Sequence, residues 1–283
     1  MATRGEPAGQ EGVGTGQGVR LVATDLDGTI VRTDGTISVR TKDALAAAQG
    51  AGLLVVFVTG RPPRWMQPIA EATGHTGLAI CMNGALVYDM GREVVVEEHP
   101  LEPAVAAELV EILRRALPEI SFAVDGAQGI AHEPTYRSRF PFPPGVLVAE
   151  VEKLVSTPVT KLLARHEGMS GDEFLAAALA LAEDLEGLAE ITFSGVDGLL
   201  EISAAGISKA FTLENLATGH GIGAHEVVAF GDMPNDLPML AWAGHAVAVA
   251  NAHPDVRQMA DEVTASNDED GVAQVVERLL SSP

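Results

Sequence analysis

Two aspartates, Asp25 and Asp27, stand two residues apart in the run LVATDLDGTIVR at residues 21–32, where an apolar stretch ends. Asp-Gly is a common turn dipeptide and an acid can cap a following helix, so the pair alone does not define a site. Four other apolar stretches also end in small polar residues: Thr59, Asn83, Asp232 just past Gly231, and Asn251. If these stretches are parallel strands of one sheet, their carboxyl ends share one edge, the edge where open α/β sheets bind ligands. Acids, amides and a hydroxyl from distant parts of the chain then face a single crevice.

Held together, Asp25, Asp27 and Asp232 repel one another, so either their pKa values rise or a cation sits among them. Oxygen ligands without histidine or cysteine partners favour Mg²⁺. The eight histidines form no HExxH pattern and Cys81 is the single cysteine, which argues against zinc and excludes an intramolecular disulfide. Lys209 directly follows Ser208 in the first turn of a predicted helix, where the helix dipole disfavours a cation. A residue that breaks a local rule is a candidate for function. From there a lysine can reach the acids, neutralise a nucleophilic carboxylate and hold a phosphoryl oxygen.

The elements that must position these groups are legible in the pattern. Apolar runs at 19–24, 53–58, 78–82, 225–230 and 246–250 are hydrophobic on consecutive positions, as in strands buried on both faces. Between and after them lie helices predicted at 39–49, 63–72, 209–218 and 272–280, the last with valines and leucines at i, i+3, i+4, i+7 and i+8. The alternation predicts a doubly wound, Rossmann-like parallel sheet covered on both sides. The middle of the chain differs. A hairpin at 86–98, a helix at 103–116, strands near 120–124 and 128–132, a proline-rich loop at 140–145, a strand at 159–165, a helix at 172–186 and a strand pair at 190–194 and 198–203 read as an inserted α+β unit. The expected layout is a disordered tail over 1–18, a core of 19–84 with 205–283, and a cap of 85–204.

With 283 residues and 47% hydrophobic content, the chain can bury a sizeable core, built from aliphatic side chains because aromatics are only 4%. A formal net charge of -21 argues against nucleic acid or anionic lipid as partner, and requires any phosphate ligand to be met by a local positive site or a metal. No apolar stretch is long enough to span a bilayer and the N-terminus has no secretory h-region, so the expected location is the cytoplasm.

These residues match a known pattern. DLDGT at 25–29, VTGR at 58–61, GISKA at 206–210 and GDMPND at 231–236 resemble, in order, the four motifs of the haloacid dehalogenase superfamily. MNGA at 82–85, VANA at 249–252 and TASNDEDGVA at 264–273 are similar to its Cof-type subfamily, class IIB. One departure is slight: Ala210 stands where the lysine motif usually has glycine. The resemblance implies an Mg²⁺-dependent phosphatase for small phosphorylated metabolites, such as sugar phosphates or phosphorylated cofactors. It implies that Asp25 attacks phosphorus, that Asp27 acts as acid and base while its carbonyl meets the metal, and that Asp25, Asp27 and Asp232 hold Mg²⁺. Thr59, the Gly60 amide, Lys209 and Asn235 would hold the phosphoryl group, and Asp236 would position Lys209 or the water around the metal.

A carboxylate nucleophile is sensible chemically, because it is ionised near neutral pH and needs no base. Arg61 is left outside the catalytic set, Asn83 and Asn251 read equally as loop braces, and Trp65 and Trp242 read as packing anchors. Arg137, Arg139 and Arg165 of the cap are available to an anionic group. Two rival readings are a phosphotransferase or mutase on the same fold, and a non-catalytic phosphorylatable signalling module; the second sits poorly with Asp27. The expected oligomeric state is monomer or homodimer.

Overall fold

The computed structural model describes residues 18–181, 185, 187–193 and 198–281, so the tail expected over 1–18 lies outside it save for Gly18. The strands in chain order are β1 (Leu21–Thr24), β2 (Leu54–Val58), β3 (Leu78–Cys81), β4 (Leu86–Asp89), β5 (Val94–Glu98), β6 (Ser121–Gly126) and β7 (Gly129–His132). They continue with β8 (Leu147–Val148), β9 (Lys161–Arg165), β10 (Ala189–Thr192), β11 (Leu199–Ala204), β12 (Val227–Gly231), β13 (His245–Ala248) and β14 (Glu262–Val263). Two sheets result: one of eight strands, ordered β14-β13-β12-β1-β2-β3-β4-β5, and one of six, ordered β10-β11-β9-β6-β7-β8.

Six neighbouring strands of the large sheet, β14 through β3, run parallel. Strands β1 and β12 are buried at every residue, which is why their sequences are continuously apolar rather than alternating. Chain order runs outward from β1 through β2 and β3 on one side, and from β12 through β13 and β14 on the other. The topological switch point therefore falls between β1 and β12, where a doubly wound sheet leaves its ligand crevice.

The helices form where their signals stand. Ser38 caps helix Val39–Gly50 by accepting from the Thr41 amide, and Ser208 caps helix Lys209–Gly219 by accepting from the Phe211 amide. Helix Gly271–Ser281 buries Val272, Val275 and Val276 and packs against helix Val39–Gly50, with Arg40 paired to Glu277 at the surface. Several short elements went without bounds in the sequence reading, among them helices Val151–Leu154, Leu237–Trp242 and Pro254–Met259 and strands β8 and β14. Six residues or fewer span less than two helical turns and carry too little periodicity to be seen. The helix expected over 172–186 runs over Gly171–Leu179, and part of the remainder lies outside the described residues.

The second sheet, antiparallel except for its β7–β8 pair, is backed by helix Pro103–Ala116 and helix Gly171–Leu179. It encloses its own apolar cluster, with Leu109, Leu113, Phe122, Leu162, Phe174 and Leu200 buried together. The hairpin β4–β5, placed with the cap on sequence, instead continues the large sheet through the antiparallel pairing of β3 with β4. The reason is the turn. Cys81 pairs directly with Leu86 across residues 82–85, which is too short a link to carry the chain out of the sheet, and Met82 and Asn83 take positive φ to close it. Among the described residues no helix is long and apolar enough to cross a membrane.

Candidate active site

Asp25 follows β1 directly, and its amide donates to Phe230 O of β12 at 3.0 Å, so the ladder itself sets it beside the end of that strand. Asp232 is the residue after β12, and Thr59 the residue after β2. All three are buried, as are Asn83, Lys209, Asn235 and Asp236. The strand-end residues taken from the sequence thus line one edge, and Asn251 joins them through its Nδ2, which donates to Gly28 O at 2.8 Å.

Lys209 reaches this edge from the first turn of its helix. Its Nζ lies 2.8 Å from Asp25 Oδ1 and 2.7 Å from Asp236 Oδ1. The helix is pressed onto the turn after β3: a Cβ on Gly84, whose φ is +104°, would stand 2.2 Å from Ser208 O. Thr212 Oγ1 donates to Gly84 O at 2.7 Å and completes the seat. Burial opposes the charge on Lys209, but Asp236 and Asp25 more than offset it and hold the ammonium charged.

The other oxygen of Asp236 accepts from the amides of Asp232 and Met233, at 2.9 and 3.0 Å. Asp236 therefore serves the loop and the lysine, with both oxygens engaged. Asp232 Oδ1 accepts from Thr29 Oγ1 at 2.7 Å, and its Oδ2 faces Gly28, where an added Cβ would lie only 2.3 Å away. Gly28 has φ +79°, so the glycine of DLDGT is required both by its backbone and by the carboxylate against it.

Oxygens of Asp25, Asp232 and Asp236 lie within 4.8 Å of one another. Burial, only partly countered by Lys209 and reinforced by the Asp236 charge, pushes the Asp25 carboxyl up to about 7. Burial followed by the charges of Asp25 and Asp236 pushes Asp232 up to about 9. Three carboxyls thus share one ammonium. Among the described residues Asp25 Oδ2 and Asp232 Oδ2 receive no hydrogen bond. Two carboxylate oxygens left without a hydrogen bond on the buried residues Asp25 and Asp232 suit a hard divalent cation.

The carboxylate of Asp27 is not in that group. Its side chain is 57% exposed and is gripped by Arg61, whose Nε and Nη2 lie 2.7 and 2.5 Å from its two oxygens. The side chain of Asp27 therefore stands apart from the cluster of Asp25, Asp232 and Asp236. Arg61, set aside on sequence, is thus the partner of the second aspartate; its place in VTGR, directly after Gly60, was the available signal. The Thr59 hydroxyl accepts from the Arg61 amide at 3.1 Å, which ties that loop together.

The cap supplies polar groups that sequence reasoning missed. Lys161 of β9 is buried and donates to Glu201 Oε1 at 2.8 Å and to Gly60 O at 3.3 Å. Glu201 Oε2 accepts from Asn83 Nδ2 at 3.2 Å, and Asn83 Oδ1 accepts from Asn235 Nδ2 at 3.1 Å. A polar chain therefore runs from the cap sheet to the loops after β2, β3 and β12. Its signal was a lysine and a glutamate set in otherwise apolar strands, KLLAR and LLEISA. Between cap and core lies a cavity of about 810 Å³ lined by Asp25, Asp27, Thr59, Arg61, Lys161 and Asn235 among others. Arg139 and Arg165 also line it, and so does Trp65, which is 39% exposed and not the packing anchor its type suggested.

Comparison with known proteins agrees with this geometry. The sequence pattern of a family described as haloacid dehalogenase-like hydrolase matches residues 22–276. The pyridoxal phosphate phosphatase YbhA of Escherichia coli (strain K12) is 30% identical over 270 residues, covering 91% of this chain and 97% of its own. The 5-amino-6-(5-phospho-D-ribitylamino)uracil phosphatase YitU of Bacillus subtilis (strain 168) is 28% identical, covering 92% and 97% respectively. A crystal structure of a haloacid dehalogenase-like hydrolase from Bacteroides thetaiotaomicron superimposes with a TM-score of 0.72 at 29% identity, over 92% of this chain and 99% of that one.

Proposed function

The chain belongs to the haloacid dehalogenase-like hydrolases, as a phosphatase of class IIB, and from that premise we propose how it works. It is a phosphatase for small phosphorylated metabolites, dependent on Mg²⁺, that passes the phosphoryl group through an aspartyl phosphate on Asp25. Relatives named for pyridoxal phosphate and for a phosphoribitylamino-uracil favour cofactors and their precursors over polymers as substrates. The acidic chain argues the same way, since its field repels polyanions.

In this reading the carboxylate of Asp25 attacks phosphorus and the ester oxygen leaves with a proton from Asp27. Water, its proton taken by Asp27, then opens the acyl phosphate and frees inorganic phosphate and Asp25. One difficult displacement becomes two easier ones. Lys209, held between Asp25 and Asp236, supports the negative charge on the transferring oxygens. Thr59, the Gly60 amide and Asn235 add donors around the same group. Asp25, Asp232 and the Asp27 carbonyl would hold Mg²⁺, which when bound neutralises phosphate charge and keeps both carboxyls ionised. Arg61 keeps Asp27 at the cavity wall, and the polar chain through Lys161 and Glu201 couples the cap to the phosphate loop.

The observation that carries this reading is the fully buried lysine bridging Asp25 and Asp236 beside Asp232, at the sheet's switch point. The test is a panel of phosphorylated metabolites assayed with Mg²⁺, with Asp25→Asn as control. Release of inorganic phosphate by the wild type and its loss in the variant are expected. Wild-type turnover in Asp25→Asn would refute the nucleophile, and sugar bisphosphate formed in place of free phosphate would favour a mutase.

A further inference from the structure

Aromatic residues make up only 4% of the chain, yet Trp65, Tyr136, Phe140 and Phe142 all line the cavity that holds Asp25. Building on the phosphatase reading, we infer that the substrate bears its phosphate on a short arm from a flat aromatic or heteroaromatic ring. Trp65 of the core and Phe140 of the cap, in contact with each other across the boundary between the two sheets, form the wall against which that ring lies.

Trp65 and Phe140 are 39% and 53% exposed, large apolar surfaces left in water on the rim of a site. They meet edge to face, with centroids 5.3 Å apart and planes at 72°. Each is backed by a cation: the Arg64 guanidinium lies 5.4 Å from the Trp65 ring and that of Arg139 lies 5.9 Å from Phe140. Arg64 is in turn fixed to the cap by Asp125, with hydrogen bonds of 2.6 and 2.8 Å, so the loop carrying Trp65 is anchored to β6. Pro141 and Pro143 alternate with Phe140 and Phe142, and proline's fixed φ stiffens the segment that presents them.

Deeper in, Phe142 stacks on His132 with centroids 3.8 Å apart and planes within 10°, and packs on Tyr136 and Leu163. This wall is built before any ligand arrives. The aromatic side chains of this wall offer ring faces and edges, the surface that a flat ring matches best. Of the charged groups lining the cavity, Arg61 is joined to Asp27, Arg64 to Asp125 and Lys161 to Glu201, while Arg139 and Arg165 line it as well.

The test compares kcat/KM for benzyl phosphate, cyclohexylmethyl phosphate and glucose 6-phosphate, with acetyl phosphate as a ring-free reference. Both ring esters release a primary alcohol, so their ratio reports recognition of flatness rather than leaving-group chemistry. Wild type should favour benzyl over cyclohexylmethyl phosphate by about three- to tenfold, the factor expected of one aromatic contact. Trp65→Leu and Phe140→Leu, which keep an apolar side chain and lose the π face, should bring that ratio close to one. Equal use of the two ring esters by wild type, or an equal fall for every substrate in both variants, would overturn the inference and leave the phosphatase reading intact. Failure to hydrolyse even acetyl phosphate would overturn both.

Discussion

Lys209 and Asp236 form an ion pair of 2.7 Å in which neither side chain touches solvent. The second contact of the lysine, 2.8 Å to Asp25, makes the pair the support of the proposed nucleophile. Asp236→Asn keeps the shape but removes the charge and sets an amide where two backbone amides now donate. Taking one partner from a buried charge costs about 3 kcal/mol, so thermal unfolding should begin several degrees lower. Turnover should fall on the order of 10²-fold, as when one preorganised electrostatic group is lost. A variant with wild-type melting and rate would show that the pair supports nothing.

Gly28 tests the metal pocket without removing a charge. Alanine there meets Asp232 Oδ2 at 2.3 Å and must hold a positive φ. Gly28→Ala should displace the Asp232 carboxylate and abolish both turnover and the rise in melting temperature caused by Mg²⁺. Calorimetry with the ion alone reads the second effect. An unchanged Mg²⁺ affinity would show that Asp232 is no ligand.

The pH dependence of that stabilisation has a definite sign. Burial, chiefly, pushes Asp25 up to about 7 and Asp232 up to about 9, from an ordinary value of 3.8. A carboxyl whose folded pKa lies above its unfolded one binds more protons when folded, so its contribution is present below the unfolded value and lost as pH rises through the folded one. The ion-free protein should therefore lose stability from about pH 4 to about pH 9. Mg²⁺ competes with those protons and stabilises the ionised form. The melting shift it produces should grow across the same window, as scanning fluorimetry can follow. A shift that is flat with pH would mean that neither carboxyl meets the ion.

Asp27 is asked to protonate the leaving oxygen and later to activate water. Asp27→Asn should lower turnover of alkyl phosphates by about 10²- to 10⁴-fold, the usual worth of a general acid–base. 4-Nitrophenyl phosphate has a leaving group that needs no proton. With it the variant should release a burst of one equivalent of nitrophenolate and then stall, because only the second step still needs the base. Stopped-flow absorbance distinguishes this from a slow steady release, which would deny Asp27 the second role.

Much of the site was legible because its residues are tied to strand ends. Consecutive apolar residues marked β1, β2, β3, β12 and β13 as buried, and the parallel-sheet rule then gathered Asp25, Thr59, Asn83, Asp232 and Asn251 on one edge. Lys209 was visible as a cation in a first helical turn. What was not legible depends on contacts between distant segments. The place of Arg61 after Gly60 marks it as close to the site but does not name Asp27 as its partner, and no local pattern says that Glu201 reaches Asn83 or that Trp65 stays exposed. The placement of the β4–β5 hairpin was hidden for a related reason: its residues read as a hairpin either way, and only the tight 82–85 turn binds it to β3.

The central claim is that Asp25 itself carries the phosphoryl group. Intact-mass and peptide analysis of acid-quenched Asp27→Asn protein, mixed with Mg²⁺ and 4-nitrophenyl phosphate, reads this directly. The account predicts one added phosphoryl group, confined to the peptide that contains Asp25 and absent from the Asp25→Asn, Asp27→Asn double variant. A phosphoryl group on another residue, or turnover by an enzyme whose Asp25 is never modified, would contradict it.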